Sequence, residues 1–149
     1  MALINNKKAH FDYEILEKYE AGIQLLGFEV KSLKMKRGNL AGSHIIIRGG
    51  EAFVVGMEIS PYQAGNTPEN YDPARTRKLL LKKSEIEHLA NKDAQKGLTL
   101  IPLTIYTQSG LIKVSFAVAR GLKKYDKREK IKARDTKRDI DREIKARQG

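Results

Sequence analysis

Lys123, Lys124, Tyr125, Lys127 and Arg128 set one aromatic ring among four cations. That grouping suits an unpaired nucleobase stacked on the ring while phosphates are neutralised beside it. Further cations surround it, Arg120, Lys132 and Arg134 among them, and residues 119–149 hold 13 basic against 6 acidic side chains. The only aliphatics there larger than alanine are Leu122, Ile131, Ile140 and Ile144. So little apolar surface does not offset the entropy of ordering a backbone, roughly 1–2 kcal/mol per residue. Asp126 with Lys130, Asp141 with Lys145, and Glu143 with Arg147 sit at helical spacing. Each pair contributes only about 0.2–0.5 kcal/mol, which biases a chain toward helix without holding one in water. The segment is expected to be disordered when free and helical when laid along a polyanion, with Ile140 and Ile144 as a small apolar foothold.

Other cations cluster at Lys31, Lys34, Lys36 and Arg37, and again at Arg75, Arg77 and Lys78 before Leu79-Leu80-Leu81. Two readings stand for each group: a solvated face, or a patch that contacts phosphates and makes binding salt-dependent. The leucine triplet is read as packing. Arg48-Gly49-Gly50 resembles an RGG element but stands once, between two strand-like runs, and is read as a turn. Catalytic patterns are missing: the chain has no phosphate-binding glycine loop, no G-x-S-x-G and no zinc-protease histidine pair. His10, His44 and His88 are scattered over different elements, and there is no cysteine. No enzyme activity, metal or cofactor is expected.

The elements that must position these residues are mostly strands. His44-Ile45-Ile46-Ile47-Arg48 and Glu51-Ala52-Phe53-Val54-Val55 flank Gly49-Gly50, a tight-hairpin signal. A second hairpin is expected over 98–119, turning at Gln108-Ser109-Gly110. In its second arm Ile112, Val114, Phe116 and Val118 face one way, and Lys113, Ser115, Ala117 and Ala119 the other. One face is core; the other is small or basic. Residues 11–26 read as a long segment, β-rich near its ends. A helix is expected to start at a capping box formed by Ser84 and Glu87, with Ile86, Leu89 and Ala90 inward and Gly97 as the stop. A shorter helix is expected over 28–36 with Val30 and Leu33 inward, and an exposed loop over 60–73. The sum is a mainly β chain: a small closed antiparallel barrel of oligonucleotide-binding type with two or three short helices and a basic tail. The division is 1–118 for the RNA-binding barrel and 119–149 for the tail.

Charge supports that division. The chain of 149 residues carries 29 basic and 18 acidic side chains, and residues 119–149 supply +7 of the net +11. A basic chain of this kind, with no signal-like segment and no apolar run of about 18 residues, points to nucleic acid rather than membrane. A cytoplasmic, monomeric protein is expected.

Five blocks, in order, resemble the SsrA-binding protein (SmpB) family, the bacterial partner of transfer-messenger RNA. They are Asn6-Lys7-Lys8-Ala9, Glu20-Ala21-Gly22-Ile23, Gly27-Phe28-Glu29-Val30-Lys31-Ser32-Leu33, Asp72-Pro73-Ala74-Arg75-Thr76-Arg77-Lys78-Leu79-Leu80-Leu81 and Gly121-Leu122-Lys123-Lys124-Tyr125-Asp126-Lys127-Arg128. The resemblance implies an RNA-binding adaptor for ribosome rescue by trans-translation. Its barrel would grip the tRNA-like domain of transfer-messenger RNA and deliver it to the vacant A site. Its tail would enter the empty mRNA channel, meeting small-subunit ribosomal RNA at the decoding centre, and elongation factor Tu would join indirectly through the RNA. By motif, Asn6, Glu20, Leu80 and Lys113 match positions tied to transfer-messenger RNA; Lys7, Lys8, Lys31, Lys34, Arg75, Arg77 and Lys78 complete the expected barrel surface. Tyr125, Asp126, Lys127 and Arg128 match positions at the decoding centre; Arg120, Lys123, Lys124, Lys132, Arg134 and Ile144 complete the tail set. Leu122 departs from the family, where lysine is usual, and the tail lacks the tryptophan some members carry. The rival reading is a ribosomal or ribosome-assembly protein with a basic extension.

Overall fold

The computed structural model describes residues 2–63, 65 and 67–122. Among these residues, nine strands and three helices follow in the order β1 (Ala2–Asn5), α1 (Ala9–Asp12), β2 (Tyr13–Ile23), α2 (Gly27–Lys34), β3 (Gly38–Asn39), β4 (His44–Arg48), β5 (Glu51–Val55), β6 (Glu58–Ile59), β7 (Arg77–Leu80), α3 (Lys83–Asp93), β8 (Leu98–Gln108) and β9 (Leu111–Gly121). Both hairpins form where the glycines sit. Arg48 pairs with Glu51, leaving Gly49 and Gly50 as a two-residue loop with φ of +58° and +75°. A type I′ turn requires positive φ at both positions, which glycine adopts without steric penalty. Gln108 likewise pairs with Leu111 across Ser109-Gly110.

Antiparallel pairing runs β8–β4–β5–β7–β2–β9 and returns from β9 to β8, so the strands form a ring. β1 and β4 bond successive stretches of β8, at 104–106 and at Leu100. A short second sheet joins β3 to β6. Ile45, Leu79, Leu100, Ile105, Val114 and Phe116 fill the interior. Leu89 seals it from α3, and Leu33 from α2. The Glu17 carboxylate ties α3 to β2: it accepts from Tyr19 Oη at 2.5 Å and lies 3.2 Å from His88 Nε2 and 3.8 Å from Lys92 Nζ.

Several boundaries differ from expectation. The longer helix starts one residue before Ser84, and its first turn is closed by Glu85, which accepts from the Lys82 N–H at 3.1 Å. The shorter helix is Gly27–Lys34, and it buries Glu29 and Ser32 along with Leu33. The loop after β6 is not simply exposed. Tyr71 packs edge-on against Phe28 at 4.7 Å, and its hydroxyl donates to the Ile59 carbonyl or to Glu29. β9 runs to Gly121, so Ala119, Arg120 and Gly121 belong to the sheet rather than to a tail starting at 119. Ala119 is buried, because Ala117 and Ala119 pack with Ala9, Ile101 and Leu103 in a second apolar cluster.

Gly38 is where close packing forbids a side chain. A Cβ there would lie 2.9 Å from Leu33 Cδ2 and 3.3 Å from the Glu58 carbonyl oxygen. Leu33 is fully buried, so it has little room to yield. Gly38→Ala is expected to lower the unfolding free energy by roughly 1–3 kcal/mol, as overpacking does. Urea denaturation measures it, and an unchanged midpoint would contradict the packing argument.

Candidate nucleic-acid interface

The face of the ring turned away from the core is built from β2, β9 and β8. On β9 the odd-numbered residues point outward. A bulge in β2 between Ile15 and Glu17 shifts the register, so Tyr13 and Ile15 share this face with Lys18, Glu20 and Gly22. A second bulge, in β8 between Pro102 and Thr104, brings Thr104 and Tyr106 onto it. One half of the face is apolar and lies under α1, where Ala9 meets Ile101, Leu103, Ala117, Ala119, Tyr13 and Ile15. The other half carries two cross-strand rows, Glu20–Ser115–Thr104 and Gly22–Lys113–Tyr106. Polar and cationic groups stand there, outside the cluster that α1 covers.

β7 supplies the wall. It pairs with β2 at Gly22↔Leu80 and Ile23↔Leu79. Strand alternation then buries Leu79 and turns Leu80 outward, with half of its surface exposed. Leu80 lies directly over Gly22, where a Cβ would be in ordinary contact with its Cδ1 at 3.4 Å. The resulting cleft, about 560 Å³, is lined by Glu20, Gly22, Lys78, Leu80, Lys82 and Lys113, among others. Lys78 is paired with Glu51 at 3.0 Å. Among the described residues, Lys82 and Lys113 have no ion-pair partner, so their charges face the cleft's solvent. The Tyr106 hydroxyl is shut off from solvent and closes no hydrogen bond of good geometry. Burial, and then the neighbouring Glu20 carboxylate, pushes its pKa up.

Glu20, Lys78, Leu80 and Lys113 are thus brought together from three strands. Arg75 and Arg77 do not line this cleft, and the burial of Arg77 corrects its assignment to RNA. Arg77 is fully buried and donates to Glu29 Oε2 at 2.6 and 2.9 Å and to the Met57 carbonyl at 2.6 Å. Arg75 grips the same carboxylate from its rim, with its Nε 3.0 Å from Glu29 Oε2 and a second, shorter bond to Oε1. Asn6 is also buried, and its amide NH2 donates to the Pro102 carbonyl at 2.9 Å and the Leu40 carbonyl at 3.4 Å. It anchors the chain after β1 and lines a smaller cavity of about 300 Å³ with Lys8, Asp12 and His44. Lys7 and Lys8 are exposed next to it. Lys31 and Lys34 are exposed on α2, with Lys31 Nζ 5.7 Å from the centre of the Tyr62 ring. Arg120 pairs with Glu14 at 3.0 Å. Lys123, Lys124, Tyr125, Asp126, Lys127, Arg128, Lys132, Arg134 and Ile144 lie outside the described residues.

Sequence reasoning missed Lys18, Gly22, Lys82 and Tyr106. Tyr106 was within reach, because Thr104 and Tyr106 alternate with the buried Ile105. Among the described residues, no three His, Cys, Asp or Glu side chains group as a metal site. Nor is any described helix long and apolar enough to cross a membrane.

Comparison with known proteins places this geometry in context. The family model described as SmpB protein matches residues 3–146. The SsrA-binding protein of Clostridium novyi is 52% identical over 145 residues, covering 97% of this chain and 92% of its own. That of Clostridium botulinum is 53% identical over the same span and coverage. Among solved structures, a chain from "tmRNA-SmpB: a journey to the center of the bacterial ribosome" superposes with a TM-score of 0.70 at 46% identity. It covers 83% of this chain and 87% of that one.

Proposed function

The chain belongs to the SmpB family, and on that premise we propose that it is an RNA-binding adaptor in trans-translation that grips the tRNA-like domain of transfer-messenger RNA. The observation that carries this reading is the gathering of Glu20, Leu80 and Lys113 on one open face, with Lys82 beside them. Double-helical RNA is recognised mostly by shape, through phosphates and 2′-hydroxyls across its shallow groove. A rigid sheet bordered by lysines that lack an ion-pair partner among the described residues suits that task. The ring holds the RNA, and residues 123–149, with 12 basic and 6 acidic side chains, follow the vacant mRNA channel toward the decoding centre. The protein thereby delivers the RNA to the empty A site, and elongation factor Tu joins through the RNA. Action in the cytoplasm as a monomer goes with this role.

Gel-shift competition at fixed salt tests the reading. Transfer-messenger RNA is expected to displace itself far better than tRNA or unrelated RNA does. Equal competition by naked ribosomal RNA would favour a ribosomal or assembly protein. Lys113→Ala is expected to weaken the shift roughly tenfold, the loss of one charge-assisted contact. It should also reduce the slope of log K against log salt by about one. An unchanged slope would remove Lys113 from the phosphate contacts.

A further inference from the structure

A carboxylate on an RNA face needs an explanation, because it repels phosphate. The RNA groups it attracts are N–H donors and the 2′-hydroxyl. Guanine alone among the bases offers two adjacent donors, N1–H and N2–H, that match the two oxygens of a carboxylate. Adenine and cytosine each place a ring acceptor beside their amino group, and uracil sets one N–H between two carbonyls.

Glu20 stands exposed at the cleft, and its carboxylate interacts with the buried Tyr106 hydroxyl, which closes no bond of good geometry. In the cross-strand rows, Tyr106 lies diagonal to Glu20 across β9, where the intervening Ser115 is small. A carboxylate oxygen has lone pairs for two donors, so it can accept from the phenol and from a base together. Lys113 stands in the row of Tyr106, between it and Gly22, placed for a neighbouring phosphate, and Leu80 presents an apolar surface to the base. We propose that Glu20 reads an unpaired guanine through its N1–H and N2–H, and that Tyr106 is the positioning residue that orients the Glu20 carboxylate for it. This rests on the RNA-binding reading and adds the base class that the face selects.

The test uses the full chain and nonauridine RNAs whose central base is guanosine, inosine or adenosine, with binding followed by fluorescence anisotropy. Inosine keeps N1–H and lacks the 2-amino group. Wild type is expected to prefer guanosine to adenosine by about tenfold and to inosine by about threefold, as for a bidentate base contact. Glu20→Gln should bring the guanosine-to-adenosine ratio to within about twofold, because one acceptor becomes a donor. Tyr106→Phe, which removes only the hydroxyl, should cut that ratio about threefold with the melting temperature kept. A purely structural role for Tyr106 would weaken all three RNAs equally and leave the ratio intact, which overturns its positioning role. Equal binding of the three RNAs by wild type, with the transfer-messenger RNA shift intact, overturns this inference alone. Loss of that shift overturns the RNA-binding reading with it.

Discussion

Glu29→Gln is expected to lower the unfolding free energy by about 3–5 kcal/mol, the cost of breaking a buried ion pair from one side. The Glu29 carboxylate is fully buried and shared by two guanidiniums, and Arg77, equally buried, loses its counter-charge when Glu29 becomes neutral. The cluster also joins distant parts of the chain. Glu29 closes the first turn of α2 by accepting from the Leu26 N–H at 2.8 Å. Arg77 meanwhile binds the Met57 and Pro73 carbonyls and the Tyr71 hydroxyl. Glutamine keeps the shape and one acceptor but not the charge. Urea denaturation at pH 7 measures the change, and a loss below about 1 kcal/mol, the range of an exposed ion pair, would refute the argument.

The same cluster predicts an acid limb. Burial pushes the Glu29 carboxyl up, but hydrogen bonds from Arg75, the Leu26 N–H and Arg77, with the Arg77 charge, outweigh it. They hold its pKa at about 2 against an ordinary 4.5. A pKa depressed by folding means that the stabilisation is complete above about 4.5 and is lost as pH falls from there through about 2. The amount is on the order of 3 kcal/mol. In Glu29→Gln this contribution to the pH dependence should vanish, leaving a flatter stability profile over that window.

A chain ending at Leu122 is expected to bind transfer-messenger RNA within about fivefold of the full protein while losing all tagging of stalled nascent chains. The end point matters. Ala119 is buried, Arg120 and Gly121 pair with Glu14 and Tyr13, and the Leu122 N–H donates to the Asp12 carbonyl at 2.9 Å. Cutting after 118 strips the end of β9 from both neighbours and uncovers the cluster under α1. That shorter chain is expected to be less stable as well as inactive, which would confuse the result. Cutting after Leu122 removes only the cationic segment. The modest loss in RNA affinity reflects its long-range attraction to phosphate, so it should shrink further as salt rises. Gel shift reads the first property and tagging on a truncated mRNA the second. Equal loss of both would mean that the ring and the tail do not divide the work.

How much of this was legible follows from the range of each signal. The β4–β5 hairpin, the inward face of β9 and the stripe of α3 come from patterns a few residues long. The solvation of each side chain and the φ demanded of each glycine decide them locally, and the structure agrees with them closely. Capping at Lys82 rather than Ser84 shows the limit of such patterns. Glu85 suffices for the turn, and packing of Leu89 sets the phase.

Charge told less about place. Arg75, Arg77 and Lys78 form one basic run, yet Arg77 is in the core, Arg75 at its rim and Lys78 on the surface. Nothing near them in sequence announces Glu29, which is 48 residues from Arg77. Leu79-Leu80-Leu81 reads as one apolar block, and only pairing with β2 decides that Leu79 enters the core while Leu80 faces the cleft.

By itself, the sequence determined the strand-rich character, both hairpin turns, the excess of cations toward the end of the chain and the blocks that match a family. The tertiary structure decided which carboxylate is buried, where the sheet ends and which residues share the open face. The reason is physical. Alternation and turn chemistry act between neighbours along the chain. Two bulges and the closing of a ring act between strands up to about 100 residues apart, and one shifted residue moves a side chain to the opposite face.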